Sequence, residues 1–170
     1  MFISNLKIKN FRNIGFANID LGEKINFFIG ENAQGKTNII ESIYTSAFLK
    51  SFRTQKREDL IKDGESESKI DIKINNFDVN NYLTLYLSRK CKELKLNGKK
   101  PDSYKYLNVI IFYPDETNYI SNFPYFRRNL IDRSIFYVNY SYINVYKKYY
   151  RCLKQRNIYI KSNKNEIDNI

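Results

Sequence analysis

The stretch Gly30-Glu31-Asn32-Ala33-Gln34-Gly35-Lys36-Thr37 constrains this chain more than any other. It fits GxxxxGK[ST], the pattern of a phosphate-wrapping loop set between a strand and a helix. The flanks suit that context. Ile25 to Ile29 (Ile-Asn-Phe-Phe-Ile) reads as a short strand covered on both faces. After the loop, Ile39, Ile40, Ile43, Tyr44, Ala47 and Phe48 recur at i, i+3, i+4 spacing, which predicts an amphipathic helix from Lys36 to about Leu49. Glycines at 30 and 35 are expected to take backbone angles that a side chain would block, so that successive amides turn inward as an anion nest. Those amides and the positive end of the helix would hold β- and γ-phosphates. Lys36 would set its ammonium beside the same oxygens, and the Thr37 hydroxyl would ligate Mg²⁺.

Charge points the same way. The 29 Lys and Arg outnumber 18 Asp and Glu, a net charge of +11, which favours a polyanionic partner, nucleic acid or a phosphorylated ligand, over a merely solvated basic surface. With no histidine, imidazole triads, proton shuttles and His-containing metal sites are excluded. Cys91 and Cys152 cannot form a CxxC knuckle or a disulfide framework and read as free thiols in a reducing cytosol. No apolar run nears the roughly 20 residues needed to cross a bilayer, and the alternating N-terminus lacks a signal-peptide core, so a cytoplasmic protein is expected. The abundance of Ile, Lys, Asn and Tyr is what an AT-rich coding sequence produces, so single Lys or Tyr residues are weak functional clues.

The remaining pattern predicts an α/β layer fold. Ile3, Leu6 and Ile8 begin a first strand, and Phe16 to Leu21 form a second. A short helical stretch covers Asp59 to Lys62 and stops at Gly64. Alternating Ile70, Ile72 and Ile74, then Leu83, Leu85 and Leu87, then Leu94 and Leu96, predict an antiparallel meander. Asn97-Gly98 is a hairpin turn, because both residues tolerate positive φ. Val109 to Tyr113 reads as another buried strand, ended by Pro114. Helices follow over Arg127–Tyr137 and about Tyr142–Tyr159, with a break near Asn139, and the Asn- and Lys-rich tail from Lys161 to Ile170 is expected to be disordered.

Residues 30–41, Gly-Glu-Asn-Ala-Gln-Gly-Lys-Thr-Asn-Ile-Ile-Glu, resemble the phosphate loop of the RecF family of bacterial recombination and repair ATPases, in the ABC/SMC/Rad50 group. Three further blocks are colinear with it. Leu6 to Asn13 resembles the family's opening strand and Asn-Phe-Arg-Asn turn. Pro124, Arg127-Arg128 and Leu130-Ile131-Asp132 resemble its Pro-x-x-Arg-Arg segment, and Leu153 to Asn157 its Leu-x-Gln-Arg-Asn signature. The resemblance implies an ABC-type P-loop ATPase lobe over 1–123, with a mixed sheet, a β-meander and the phosphate-loop helix, and a basic helical segment over 124–160 beginning a second lobe. It implies ATP and Mg²⁺ as cofactors. It implies binding of DNA at single-strand/double-strand junctions, a nucleotide-dependent homodimer, and action with RecO and RecR to load RecA in replication, repair and the SOS response.

The resemblance also makes Arg12 a candidate phosphate contact, against a solvated turn arginine. It makes Asn38 a candidate for positioning nucleotide or magnesium, against a helix-packing role. Ser51, Arg53 and Thr54 resemble another family stretch, but Phe52 stands where a histidine is common, which leaves the role of that segment open.

Two family elements are not found: a Leu-Ser-x-Gly-Gln signature, and an apolar strand ending in paired carboxylates, the Walker B element. The expectation is therefore an incomplete, N-terminal part that binds ATP but hydrolyses it poorly, with no catalytic residue of its own. Without a Walker B neighbour, the strand at 25–29 would expose a row of unpaired amides and carbonyls. Between Phe126 and Ser162 lie nine basic residues against Asp132 alone. Arg127, Arg128, Lys147, Lys148, Arg151 and Lys154 are candidate DNA contacts, or else these helices face an acidic protein surface. Interleaved tyrosines either stack on bases or cover a core. A basic nucleic-acid-binding module with a vestigial phosphate loop is the alternative; a metabolic P-loop kinase is remote, for want of an acceptor site.

Overall fold

The computed structural model describes residues 1–76, 79–102, 106–112 and 124–162. They fall into two compact units, Met1–Ile111 and Phe112–Ile170.

In the first unit, strands β1 (Phe2–Phe11), β2 (Ile14–Asp20), β3 (Glu67–Asn76), β4 (Val79–Ser88) and β5 (Lys92–Leu96) form one sheet in the order β2-β1-β3-β4-β5. Every pairing is antiparallel. The register follows from alternation: Leu6 pairs with Ile72 and Ile8 with Ile70, while Ile70 and Ile72 face Leu85 and Leu83 on the next strand. A one-residue slip would turn all of these to solvent. The apolar face is sealed by helix α1 (Lys36–Phe48), which packs on β1, β3 and β4. Leu6, Ile8, Phe11, Ile70, Ile72, Ile74, Leu83, Leu85 and Leu87 are essentially buried, and each contributes roughly 1.5–3 kcal/mol on leaving water.

Asn97 and Gly98 make the tight turn that their sequence predicts, with φ of 51° and 80°. Leu96 and Lys99 exchange both backbone hydrogen bonds around it. The Asn97 side chain stitches the turn to β4, accepting from the Tyr82 N–H at 2.8 Å. The expected helical stretch at 59–62 is a single 3₁₀ turn over Glu58–Leu60.

Two expectations fail. Residues 25–29 form no strand: Ile25, Phe27 and Ile29 are 73%, 82% and 93% exposed. Residues 109–112 likewise form none, and Ile110 is 88% exposed, while Tyr113 lies outside the described residues. The physical reason is shared. An apolar run becomes a buried strand only when neighbouring strands take its amides and carbonyls, and among the described residues no strand of the sheet pairs with either run. The parallel pairing that a mixed sheet requires is accordingly not among the described strands.

The second unit contains helices α2 (Pro124–Val138) and α3 (Tyr142–Ser162), separated at Asn139 as expected. The Asn139 side chain caps the turn by accepting from both the N–H and the hydroxyl of Ser141. Tyr142 donates to Asp132 at 2.6 Å, tying the helices together, and that carboxylate raises the Tyr142 phenol above its ordinary pKa. Helix α3 continues through Lys161 and Ser162, two residues into the tail expected to be disordered; 163–170 lie outside the described residues.

Within α1, the Thr45 hydroxyl is buried and has no hydrogen-bond partner among the described residues. Thr45→Val keeps the shape and removes an unsatisfied donor. It is expected to raise stability by about 1 kcal/mol, read as a higher denaturation midpoint at constant slope.

Candidate functional site

The phosphate-loop pattern occupies the connection into α1. Its shape comes from two left-handed residues, Ala33 (φ 65°) and Gly35 (φ 99°). Gly35 needs to be glycine twice over. Its φ disfavours a side chain, and a Cβ would lie 3.0 Å from Asn13 Oδ1. Gly30 differs from expectation: it is not in the left-handed region, and a Cβ there would meet nothing within 4 Å. The backbone freedom of the motif is used at its second glycine.

Asn13, in the turn after β1, closes the loop from outside. Its Nδ2 donates to the Ala33 carbonyl at 2.9 Å, and its Oδ1 accepts from Asn38 Nδ2 at 2.7 Å. Lys36 folds back across the loop and donates to the carbonyls of Gly30, at 2.7 Å, and Glu31. Its ammonium is therefore already held at the loop's rim. Glu31, Asn32, Ala33, Gln34 and Thr37 are exposed, the last in the first turn of α1. The amides of that turn have no partners within the helix and face the loop with its positive dipole end.

Arg12 is not a solvated turn residue. It has φ 54°, its N–H bonds the Leu60 carbonyl, and its guanidinium grips Glu41 through Nε (3.1 Å) and Nη2 (2.7 Å). Glu41, on α1, is fully buried. It also accepts from Ser51 Oγ and from Arg53 Nη1 at 3.2 Å, and Arg53 Nη1 reaches Asn38 Oδ1 at 2.8 Å. The segment whose role the sequence left open is thus tied to the loop through Asn38. Phe52, where a histidine is common in the family, packs edge-on against Tyr44 instead. Sequence reasoning did not single out Glu41 or Asn13; a lone acid in the interior of a helix with no other charge after Lys36 was the available signal.

Beside the loop lies a cleft of about 370 Å³ whose lining combines Arg12, Asn13, Asn38 and Arg53 with the acids Glu58, Asp59 and Asp63. The second unit carries the other candidates. Arg127, Arg128, Lys147, Lys148, Arg151 and Lys154 are all exposed. Lys147, Arg151 and Lys154 share one face of α3 at i, i+4, i+7 spacing. Tyr142, Tyr146 and Tyr150 lie against one another along the helix, with centroids 6.3 and 4.4 Å apart. Among the described residues no three His, Cys, Asp or Glu converge as a metal cage, and no helix is long and apolar enough to cross a membrane. Asp115 and Glu116, the paired acids that follow the apolar run at 109–112 across Tyr113-Pro114, lie outside the described residues.

An antiparallel sheet, a glycine-shaped loop and a helix leaving it define the N-terminal portion of an ABC-type P-loop ATPase. The chain belongs to the AAA ATPase domain family, whose model matches residues 1–170. It is similar to the DNA replication and repair protein RecF of Staphylococcus epidermidis, 35% identical over 165 residues, which covers 95% of this chain and 44% of that protein. RecF of Geobacillus kaustophilus is 36% identical over the same coverage. Among solved structures, the recombination mediator protein RecF-ATPrS of the RecFOR pathway superposes with a TM-score of 0.86 at 26% identity, covering 97% of this chain and 46% of that one. The chain thus spans just under half the length of these relatives and aligns along nearly all of its own.

The two motif glycines should respond differently. Gly35→Ala is expected to cost about 1–2 kcal/mol, from the left-handed backbone and the Asn13 contact, whereas Gly30→Ala should stay within about 0.5 kcal/mol. Paired denaturant titrations read the difference.

Proposed function

We propose that residues 30–38, with Arg12, bind the phosphates of ATP, and that the chain is part of a DNA replication, repair and recombination ATPase of RecF type. The observation that carries the reading is the loop itself. A left-handed Gly35 is pressed against Asn13, an ammonium is held at the rim, and the free amides of a helix start face the same space. These features supply what a polyphosphate needs, namely converging N–H donors and a cation, preset before binding. The solved relative RecF-ATPrS is named with such a ligand, which supports the same assignment here.

Magnesium fits this site in part. Thr37 is exposed in the first turn of α1 and would supply one oxygen; Mg²⁺ commonly takes its other ligands from phosphate oxygens and water, so the lack of a carboxylate cage among the described residues suits it. When bound, it would neutralise phosphate charge. With no Walker B element read in the sequence, hydrolysis by this chain alone is expected to be slow.

The DNA-binding role rests on the exposed basic face of α3 and on α2, where phosphates would contact Arg127, Arg128, Lys147, Lys148, Arg151 and Lys154. By likeness to the relatives, the wider setting is a cytoplasmic one: single-strand/double-strand junctions, RecO and RecR as partners, RecA loading, and a nucleotide-dependent dimer.

Lys36→Ala is expected to abolish ATP binding in calorimetry and to weaken DNA binding with it. Salt-sensitive DNA binding that survives the change would favour a basic module with a vestigial loop. Replacing Lys147, Arg151 and Lys154 by Ala should reduce the slope of log K against log salt by about 2–3. An unchanged slope would remove α3 from the DNA-binding surface.

A further inference from the structure

We propose that Glu41 is a positioning residue for the bound nucleotide. Its buried carboxylate holds the guanidinium groups of Arg12 and Arg53 together at the cleft beside the phosphate loop. The inference rests on the nucleotide reading above and assigns roles that the motif does not contain.

The carboxylate has no capacity left for chemistry. Oε1 accepts from Arg12 Nη2 and Ser51 Oγ, and Oε2 accepts from Arg12 Nε and Arg53 Nη1. Four donors fill its lone pairs, and the residue is fully buried. It can therefore be neither a base nor a metal ligand, and what it can do is hold its partners. Those partners are not used up. Among the described residues, Arg12 spends Nε and Nη2 on Glu41 and keeps Nη1, and Arg53 spends Nη1 and keeps Nε and Nη2. Both side chains line the cleft and remain partly accessible, at 18% and 46%.

Charge then names the ligand class. Two guanidinium groups share one buried carboxylate, so the cluster carries a surplus positive charge, and the repulsion between the arginines is only partly offset. A phosphate oxygen at the cleft would complete it. The acids that also line the cleft do not fill that role: Asp59 accepts from the Thr54 hydroxyl and Asp63 from the Gly64 N–H, and among the described residues no ion pair joins Glu58, Asp59 or Asp63 to either arginine. The cluster is also wired to the loop, from Arg53 through Asn38 and Asn13 to the Ala33 carbonyl. Misplacing Arg53 would therefore loosen the phosphate loop as well.

The test is ATP–Mg²⁺ calorimetry on the full chain and on Lys36→Ala, Arg53→Ala, Glu41→Gln and the Glu41→Gln/Arg53→Ala double variant, with melting curves on each. Arg53→Ala is expected to weaken ATP about tenfold, the loss of one charge-assisted hydrogen bond, and Glu41→Gln at least as much, because Glu41 acts through Arg12 as well as Arg53. The double variant should be little worse than Glu41→Gln alone, since what Glu41 does through Arg53 is already lost. A residue that merely supports the fold would instead give additive losses. Additive losses, or wild-type affinity in Glu41→Gln, would overturn the proposal. If Glu41→Gln does not fold, Arg53→Ala decides, since Arg53 is half exposed: wild-type affinity there overturns the proposal too. No binding by the unaltered chain, or equal binding by Lys36→Ala, would instead defeat the nucleotide reading.

Discussion

The phosphate loop of this chain takes its shape from side chains, because the segment that leads into it has no sheet ladder among the described residues. Asn13 carries most of that burden. It grips the Ala33 carbonyl, receives Asn38 and lies 3.0 Å from where a Cβ on residue 35 would sit. The turn containing Asn13 is fixed in its own right, since the backbones of Asn10 and Arg12 bond Lys62 and Leu60 around the Phe11–Ile61 bridge. The left-handed Gly35, the start of α1 and the ammonium of Lys36 are thereby referenced to the end of β1, the best-buried strand end of the sheet.

Ionic pairing continues the same construction. A carboxylate fully buried on α1 would be costly alone; two guanidinium groups and a hydroxyl make it tolerable and tie β1, α1 and the segment after it into one unit. Such pairs add little net stability but penalise every other arrangement of the charges. Here that means a specific geometry beside the loop.

Much of this was legible in the sequence. Period-two alternation of Ile and Leu located β3, β4 and β5, the 3.6-residue stripe located α1, and Asn97-Gly98 its turn. What was not legible depended on distant neighbours. Ile25 to Ile29 has the composition of a buried strand, and burial requires partners that no local pattern reports. Gly30 belongs to the motif, but its backbone does not use the freedom of glycine. Glu41 and Arg53 are twelve residues apart, and their pairing arises from the path of the chain after α1, which no spacing rule encodes. The likeness to RecF-type proteins placed the loop residues and could not by itself say what Arg12 touches.

The central claim is that main-chain amides around residues 33–38 are arranged to receive phosphate oxygens. Amide chemical shifts and hydrogen exchange of the chain, followed residue by residue while ATP–Mg²⁺ is added, test it directly. The account predicts saturable shifts and slowed exchange at Gly35, Lys36, Thr37 and Asn38. Unperturbed amides across that stretch, in a chain whose sheet amides remain protected, would contradict it.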